Sequence, residues 1–169
     1  EFDVPGHPEK SWRETAVRVQ GPVVADWLTL FRRAWSHHAP KPFMTPPPAP
    51  LPVADGISGR VTVSSALARQ EIKRSLYARA RRAKRRLWIA TAYFVPSHKL
   101  RRVLKQAERR GVDVRLLLPG AHTDHPGVRH AGRRFYEDLL RAGVRIFEYQ
   151  PRFLHARPCC ATTGCRSDR

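Results

Sequence analysis

The sequence predicts an α/β fold, in which a mostly parallel sheet is flanked by helices. Two observations lead to this prediction. From residue 60 onward, short apolar segments alternate with longer segments whose apolar residues recur every three or four positions. The segment LRRVLKQAERRGVDVRLLLPG also joins an amphipathic helix to an apolar strand through one glycine. Strands separated by helices of this length are typical of parallel crossover units.

The first elements precede this regular part of the chain. Val17 and Val19 alternate with polar residues, which predicts a strand over 13–20. Pro22 predicts the start of a helix, because proline suits the first helical turn. The apolar stripe of that helix consists of Val23, Val24, Trp27, Leu28, Phe31 and Trp35. We expect its two tryptophans in the core or against a neighbouring domain.

A linker separates these elements from the rest. Seven prolines lie between residues 40 and 52, which predicts extended chain over 37–59. After it we expect strands over 60–64, 87–94, 112–118 and 144–149. The first of the helices between them is predicted over 66–84, with Leu67, Ile72 and Leu76 facing inward. The second is predicted from Ser97 to Gly111, with Leu100, Val103, Leu104 and Ala107 facing inward. The third is predicted to end at Gly143.

Composition narrows the function classes. The chain has 169 residues, 41% of them hydrophobic, which is typical of a globular protein. No apolar stretch approaches the roughly 20 residues that span a bilayer. Lys and Arg number 32 against 14 Asp and Glu, a net charge of +18, which favours an anionic partner: phospholipid, nucleic acid or a phosphorylated substrate. The start at Glu1, without a leader, suggests a fragment or a processed chain.

The cysteines do not indicate a structural site. Cys159, Cys160 and Cys165 all lie in the last eleven residues, whereas a disulfide framework spreads its cysteines through the fold. A zinc site would require a fourth ligand at suitable spacing, and none follows.

Polar side chains cluster where the predicted strands end. Ligands of open parallel sheets bind beyond the carboxyl ends of the strands. The residues expected there are Tyr93, His122, Asp124, His125 and His155. Histidine can transfer a proton near neutral pH or attack phosphorus when neutral. A single loop histidine is usually solvated, so a direct role is not expected for His122 or His130.

Four segments, in order, resemble one enzyme family: AYFVP, RGVDVRLLLPG with TDH after it, YEDLLRAGVRIFEY, and LHA. Together they are similar to the second half of bacterial cardiolipin synthases, in the phospholipase D superfamily. RETAVRVQGPVVADWLTLFRRAW resembles the segment that follows the first catalytic motif of these enzymes. The resemblance implies a phospholipase D-like fold with four regions: 1–36 ending the first lobe, 37–59 the linker, 60–157 the second lobe and 158–169 an aberrant tail.

The resemblance also implies a mechanism. Each lobe of such an enzyme offers one H-x-K-x-x-x-x-D motif to a shared site, one histidine forms a phosphohistidine, and no metal or other cofactor is required. His155 matches the histidine of the second motif and is expected to do acid/base work, with the nucleophile in the missing first lobe. Arg157 stands where the family has lysine, and Thr162 where it has aspartate. Tyr93, Asp124 and His125 are expected to line the site.

The sequence leaves the family pattern after Ala156. We hypothesise a one-base deletion in the gene, because a permitted back-translation of the tail with one restored base reads H-A-K, four residues, Asp and then Gly-Ser. The codons at Cys159 and Cys160 then overlap in a codon that must specify leucine, whichever cysteine codons are used. This chain would then be a frameshifted product.

Eight basic residues and no acidic one lie between residues 73 and 86: Lys73, Arg74, Arg79, Arg81, Arg82, Lys84, Arg85 and Arg86. They form either a solvated helix face or a contact with anionic membrane. The expected function is phosphatidyl transfer to phosphatidylglycerol or a similar lipid alcohol, by a peripheral protein of the bacterial cytoplasmic membrane. The alternatives are a nuclease or nucleic-acid-binding member of the same superfamily, and a chain that has no activity without its first lobe.

Overall fold

A computed structural model of the chain describes residues 11–36, 38, 53–54, 56–57, 59–63, 70–156 and 159–161. The chain divides into two compact units. The larger unit combines Glu1–Thr15 with Lys73–Arg169, and the smaller one is Ala16–Ile72.

The larger unit contains the sheet that the sequence predicts. Its strands are β1 (Trp12–Arg13), β2 (Arg86–Ala90), β3 (Asp113–Pro119), β4 (Arg145–Tyr149), β5 (Phe153–Leu154) and β6 (Cys159–Ala161). The main sheet has the order β4-β3-β2-β6, and β1 pairs with β5 separately. Strands β2, β3 and β4 are parallel, while β6 runs antiparallel to β2. The predicted α/β fold with a mostly parallel sheet is confirmed.

Helices cover one face of this sheet. They are α2 (Glu71–Arg82), α3 (His98–Arg109), α4 (Pro126–Arg133) and α5 (Tyr136–Leu140). Val114, Leu116 and Leu118 alternate along β3 and are fully buried, as period-two strand geometry requires. They belong to the same core cluster as Leu104 of α3 and Leu139 near the end of α5.

The predicted helix after Ser97 is confirmed in detail. The Ser97 side chain accepts a hydrogen bond from the Leu100 backbone N–H at 3.3 Å, which caps α3. At the other end Gly111 has a φ of 80°, a left-handed conformation that glycine adopts without strain.

Several predicted elements differ from the structure. The strand over 13–20 is wrong, because β1 ends at Arg13 and the exposed residues 15–20 form no ladder among the described residues. Residues 60–63 also form no strand. The helix predicted over 66–84 is present as α2, with Leu67 outside the described residues. Ile72 is 55% exposed, so its inward placement is wrong.

The helix predicted to end at Gly143 is two helices. The Phe135 backbone N–H bonds to the Gly132 carbonyl at 3.0 Å, a tighter i to i+3 turn that interrupts the α-helical ladder. Helix α5 resumes at Tyr136 and the chain turns at Gly143 (φ 91°) into β4.

The smaller unit contains α1 (Val23–Ser36), which matches the predicted first helix. None of its residues is buried. Trp27 is 54% exposed and Trp35 is 43% exposed, so the prediction that they lie in the core is wrong for both. Phe31 and Trp35 stack with ring centroids 5.7 Å apart.

Gly132 allows α4 to lie against the chain that follows β2. A Cβ atom at this position would come within 2.2 Å of the Phe94 carbonyl oxygen, which is backbone and cannot rotate away. We therefore expect Gly132→Ala to lower the free energy of unfolding by about 1–3 kcal/mol, measured by urea denaturation. Gly127→Ala in the same helix is the control, because nothing lies within 4 Å of its added Cβ. Equal stabilities of the two variants would contradict this account of the packing.

Candidate active site

The carboxyl ends of the three parallel strands form one edge of the sheet. The Gly120 backbone N–H, just beyond β3, donates to the Tyr149 carbonyl oxygen at the end of β4, at 3.0 Å. The Thr91 N–H, just beyond β2, donates to the Leu117 carbonyl at 3.1 Å. Segments that leave these strands are thereby held side by side, as expected for a ligand site on an open parallel sheet.

Three residues predicted for this edge are in contact. The Tyr93 hydroxyl donates a hydrogen bond to Asp124 Oδ2 at 2.7 Å. The His125 ring lies 5.3 Å from the Tyr93 ring, and its Nε2 is 3.6 Å from the same carboxylate oxygen. Asp124 thus orients the phenol and lies beside an imidazole, in a group that is partly open to solvent.

His155 belongs to a second group. It directly follows β5, and its backbone N–H donates to the Arg13 carbonyl at 2.9 Å, which extends the pairing of β1 with β5. Its Nδ1 lies 2.5 Å from Glu14 Oε2, and its ring stacks on Phe153 with centroids 6.0 Å apart. The His155 side chain is 43% exposed, so a substrate has access to the ring.

Chain length limits how far His155 can lie from this edge of the sheet. Strand β6 starts at Cys159 opposite Ile89, one residue before the carboxyl end of β2. His155 precedes Cys159 by only four residues, which limits the distance between their Cα atoms to about 14 Å. Tyr93 is only three residues beyond the end of β2. The length of the intervening chain thus limits how far either group can lie from the carboxyl end of β2.

The contact with Glu14 selects the tautomer of the neutral imidazole. Hydrogen bonding to His155 lowers the pKa of Glu14 below its ordinary value of 4.5, so this carboxylate is ionised at neutral pH. An ionised carboxylate can only accept, hence the proton of neutral His155 resides on Nδ1. Nε2 then presents its lone pair away from Glu14, in the tautomer that general-base or nucleophilic chemistry requires.

The structure thus brings together Tyr93, Asp124 and His125. His122 is exposed. Arg157 and Thr162 lie outside the described residues. All eight residues of the basic run are exposed: Lys73, Arg74, Arg79, Arg81, Arg82, Lys84, Arg85 and Arg86.

Sequence reasoning missed Glu14, the partner of His155. It is 141 positions away in the chain, within the strand that the sequence predicts over 13–20. An isolated carboxylate beside a threonine carries no local pattern. Only its membership in the segment that resembles the family could have indicated it.

Comparison with known proteins identifies the family. Residues 76–163 match the family described as "Cardiolipin synthase, PLD-like domain", over more than half of the chain. The chain belongs to this family. It is 38% identical over 157 residues to cardiolipin synthase A of Pseudomonas putida, which covers 90% of this chain and 32% of that protein. It is 33% identical over 150 residues to the cardiolipin synthase of Halalkalibacterium halodurans, covering 86% of this chain and 30% of the relative.

The chain therefore spans about a third of the length of the curated relatives that it matches. Among solved structures, the polyphosphate kinase of Porphyromonas gingivalis matches 59% of this chain and 16% of its own, at 16% identity and a TM-score of 0.44. Within the described residues, no helix has the length and apolar character to cross a membrane.

Proposed function

We propose that this chain is part of a phosphatidyltransferase of the cardiolipin synthase type and contributes one of its two catalytic histidines, His155. The observation that carries the proposal is the contact between His155 and Glu14. The pair supplies a partly exposed imidazole whose Nδ1 faces a carboxylate, so that the neutral ring has its lone pair on Nε2. Membership in the PLD-like domain family supports the reaction class.

The reaction would proceed in two displacements. A histidine of the first lobe attacks the phosphorus of a phospholipid, forming a P–N bond as the P–O bond to the leaving alcohol breaks. His155, protonated at Nε2, gives that proton to the departing oxygen. Neutral Nε2 then takes the proton of the acceptor lipid alcohol, whose oxygen attacks phosphorus and expels the first histidine. Glu14 stabilises the imidazolium that is present before the first displacement and is formed again in the second.

The other site residues would act around this exchange. Arg157 stands in the place of the family lysine and would neutralise phosphoryl oxygens. Its planar guanidinium group differs from the lysine ammonium in reach and in the geometry of its hydrogen-bond donors. Tyr93, Asp124 and His125 would line the phosphate site. We assign residues 1–36 to the end of the first lobe, 37–59 to the linker, 60–157 to the second lobe and 158–169 to a tail of altered frame.

The proposed function includes the substrates, the membrane and the partner lobe. We infer that the donor and acceptor are anionic phospholipids such as phosphatidylglycerol, and that the protein binds the bacterial cytoplasmic membrane from one side. The missing first lobe is its essential partner, so the chain of 169 residues alone should have no turnover. The second candidate is cleavage or binding of nucleic acid, which the net charge of +18 favours.

A chimeric enzyme tests the function. Residues 11–156 replace the matching segment of cardiolipin synthase A of Pseudomonas putida, which supplies the first lobe and everything after Ala156. We expect transfer of a phosphatidyl group between two phosphatidylglycerol molecules, with release of glycerol, measured by mass spectrometry in vesicles. The isolated chain is the matched control. A chimera that folds but only cleaves DNA would overturn the lipid assignment in favour of the second candidate.

The coding DNA tests the altered frame. We expect the neighbouring frame after Ala156 to encode a lysine two positions after His155, then an aspartate, then Gly-Ser-x-Asn. A neighbouring frame without these residues would refute the frameshift and leave the assignment of His155 unaffected.

A further inference from the structure

We propose that the outer side of α3, with the last turn of α2, docks this domain on the anionic surface of a phospholipid bilayer. We call this surface the cationic face and define it by Arg81, Lys99, Arg102, Lys105 and Arg109. It shares only Arg81 with the basic run over 73–86, so it is a different surface from the one that the sequence indicates.

The cationic face is the solvent side of an amphipathic helix. Val103, Leu104 and Ala107 are buried against the sheet, which turns the polar residues of α3 outward. Two adjoining grooves of about 270 and 340 Å³ run along these residues. His98, Arg102 and Gln106 line both, because residues four apart form one row on a helix.

Positive charge in these grooves is largely uncompensated. The first groove is lined by Arg101, Arg102, Lys105 and Arg109, and the second by Arg81, Lys99 and Arg102. Asp138 neutralises part of the first, at 2.8 Å from Lys105 and 3.5 Å from Arg101. Within the described part of the chain, Arg81, Arg102 and Arg109 form no ion pair. Three exposed guanidinium groups are therefore free to meet phosphate.

The two helices that form the face are held together at both ends. The Tyr77 hydroxyl and the Ser97 hydroxyl share a hydrogen bond of 3.0 Å at the start of α3. At the end of α3, the Arg110 guanidinium donates to the Ala80 carbonyl at 3.0 Å. Lys99 lies over the Tyr77 ring at 5.2 Å from its centroid. The cations are thus presented from a fixed scaffold, which lowers the entropic cost of binding.

The chemistry of the lining favours phosphate groups over bases. Its residues are cations, His98, Gln106 and Val103, with no phenylalanine, tyrosine or tryptophan on which a nucleobase could stack. The choice of a bilayer rests on the proposed function, whose substrates are phospholipids. Each Lys or Arg near an anionic leaflet strengthens binding roughly fivefold.

Vesicle sedimentation with the full chain tests the proposal. The probes are vesicles of equal parts phosphatidylglycerol and phosphatidylcholine, and vesicles of phosphatidylcholine alone. We expect binding only to the first. Replacing Arg102 and Arg109 with glutamine should weaken it roughly twenty-five-fold. The matched control replaces Lys73 and Arg74 with glutamine, which removes the same charge from the basic run, and should weaken binding less than fivefold.

The outcomes separate this proposal from the proposed function. Equal losses in the two double variants would show diffuse electrostatic attraction and overturn the cationic face. A duplex DNA that displaces the chain from vesicles at equal phosphate concentration would overturn the bilayer as its partner. If the chimera transfers no phosphatidyl group while the Arg102 and Arg109 effect persists, the proposed function fails and the docking surface stands. Arg81→Gln is a third test of the same face, with an expected loss of roughly fivefold.

Discussion

His155→Ala is expected to lower the rate of phosphatidyl transfer by the chimeric enzyme about a thousandfold or more. The Nε2 of His155 both delivers a proton to the leaving alcohol and removes one from the acceptor, so its loss affects both displacements. The relevant measurement is the rate of product formation at saturating phosphatidylglycerol. Binding to vesicles should not change, because His155 lies outside the cationic face.

His130→Ala is the matched control for this prediction. His130 is an exposed histidine of α4 in the same unit, and its replacement should leave the rate within about twofold. Retention of more than a tenth of the activity by the folded His155→Ala chimera would remove His155 from the proposed mechanism.

The elements that sequence reasoning placed well are those whose pattern is local. Helix α3 has a capping serine, an apolar row and a terminal glycine within fifteen residues, and all three features act in the structure as predicted. In strand β3 the alternate residues Val114, Leu116 and Leu118 are apolar and fully buried, so its period of two is also a local pattern.

The wrong predictions concern segments whose structure depends on neighbouring elements, which no local sequence pattern describes. Val17 and Val19 alternate with polar residues. They are nevertheless exposed, and among the described residues they pair with no strand. An alternating pattern forms a strand only where a partner strand is available. Ile72 fits the apolar row of α2 but lies in the first turn, where it extends beyond the core and is half-exposed. In both cases tertiary context overrides the periodicity.

One contact of the candidate site could be predicted from the sequence, and the other could not. The contact of Tyr93 with Asp124 follows from topology, because each residue comes shortly after a parallel strand and the carboxyl ends of such strands meet at one edge. The contact of His155 with Glu14 does not follow from any strand that was predicted. It depends on the two-residue pairing of β1 with β5, which joins the two ends of the larger unit.

Glu14 should be the second most sensitive position of the site. Glu14→Gln in the chimera is expected to lower the rate about a hundredfold, because the amide carbonyl can still accept from Nδ1–H but carries no charge to stabilise the imidazolium. Glu14→Asp, which keeps the charge on a shorter side chain, should recover part of the lost rate. The dependence of the rate on pH distinguishes this role from a purely structural one. The Glu14→Gln chimera should lose the fall in rate at acidic pH that protonation of Glu14 causes.

The lowered pKa of Glu14 also sets the sign of a pH dependence of folding stability. A carboxyl whose pKa is lowered in the folded state contributes stability above its unfolded value near 4.5, and this contribution is lost as pH falls through the folded value. Glu14→Gln should therefore remove the difference in stability between neutral and acidic pH that this pair causes. Glu137→Gln is the control, since Glu137 is an exposed carboxylate that pairs with Arg141 one turn away on the protein surface. A Glu14→Gln chimera with the rate and pH profile of the Glu137→Gln chimera would show that His155 works without its carboxylate, and the proposed role of Glu14 would be wrong.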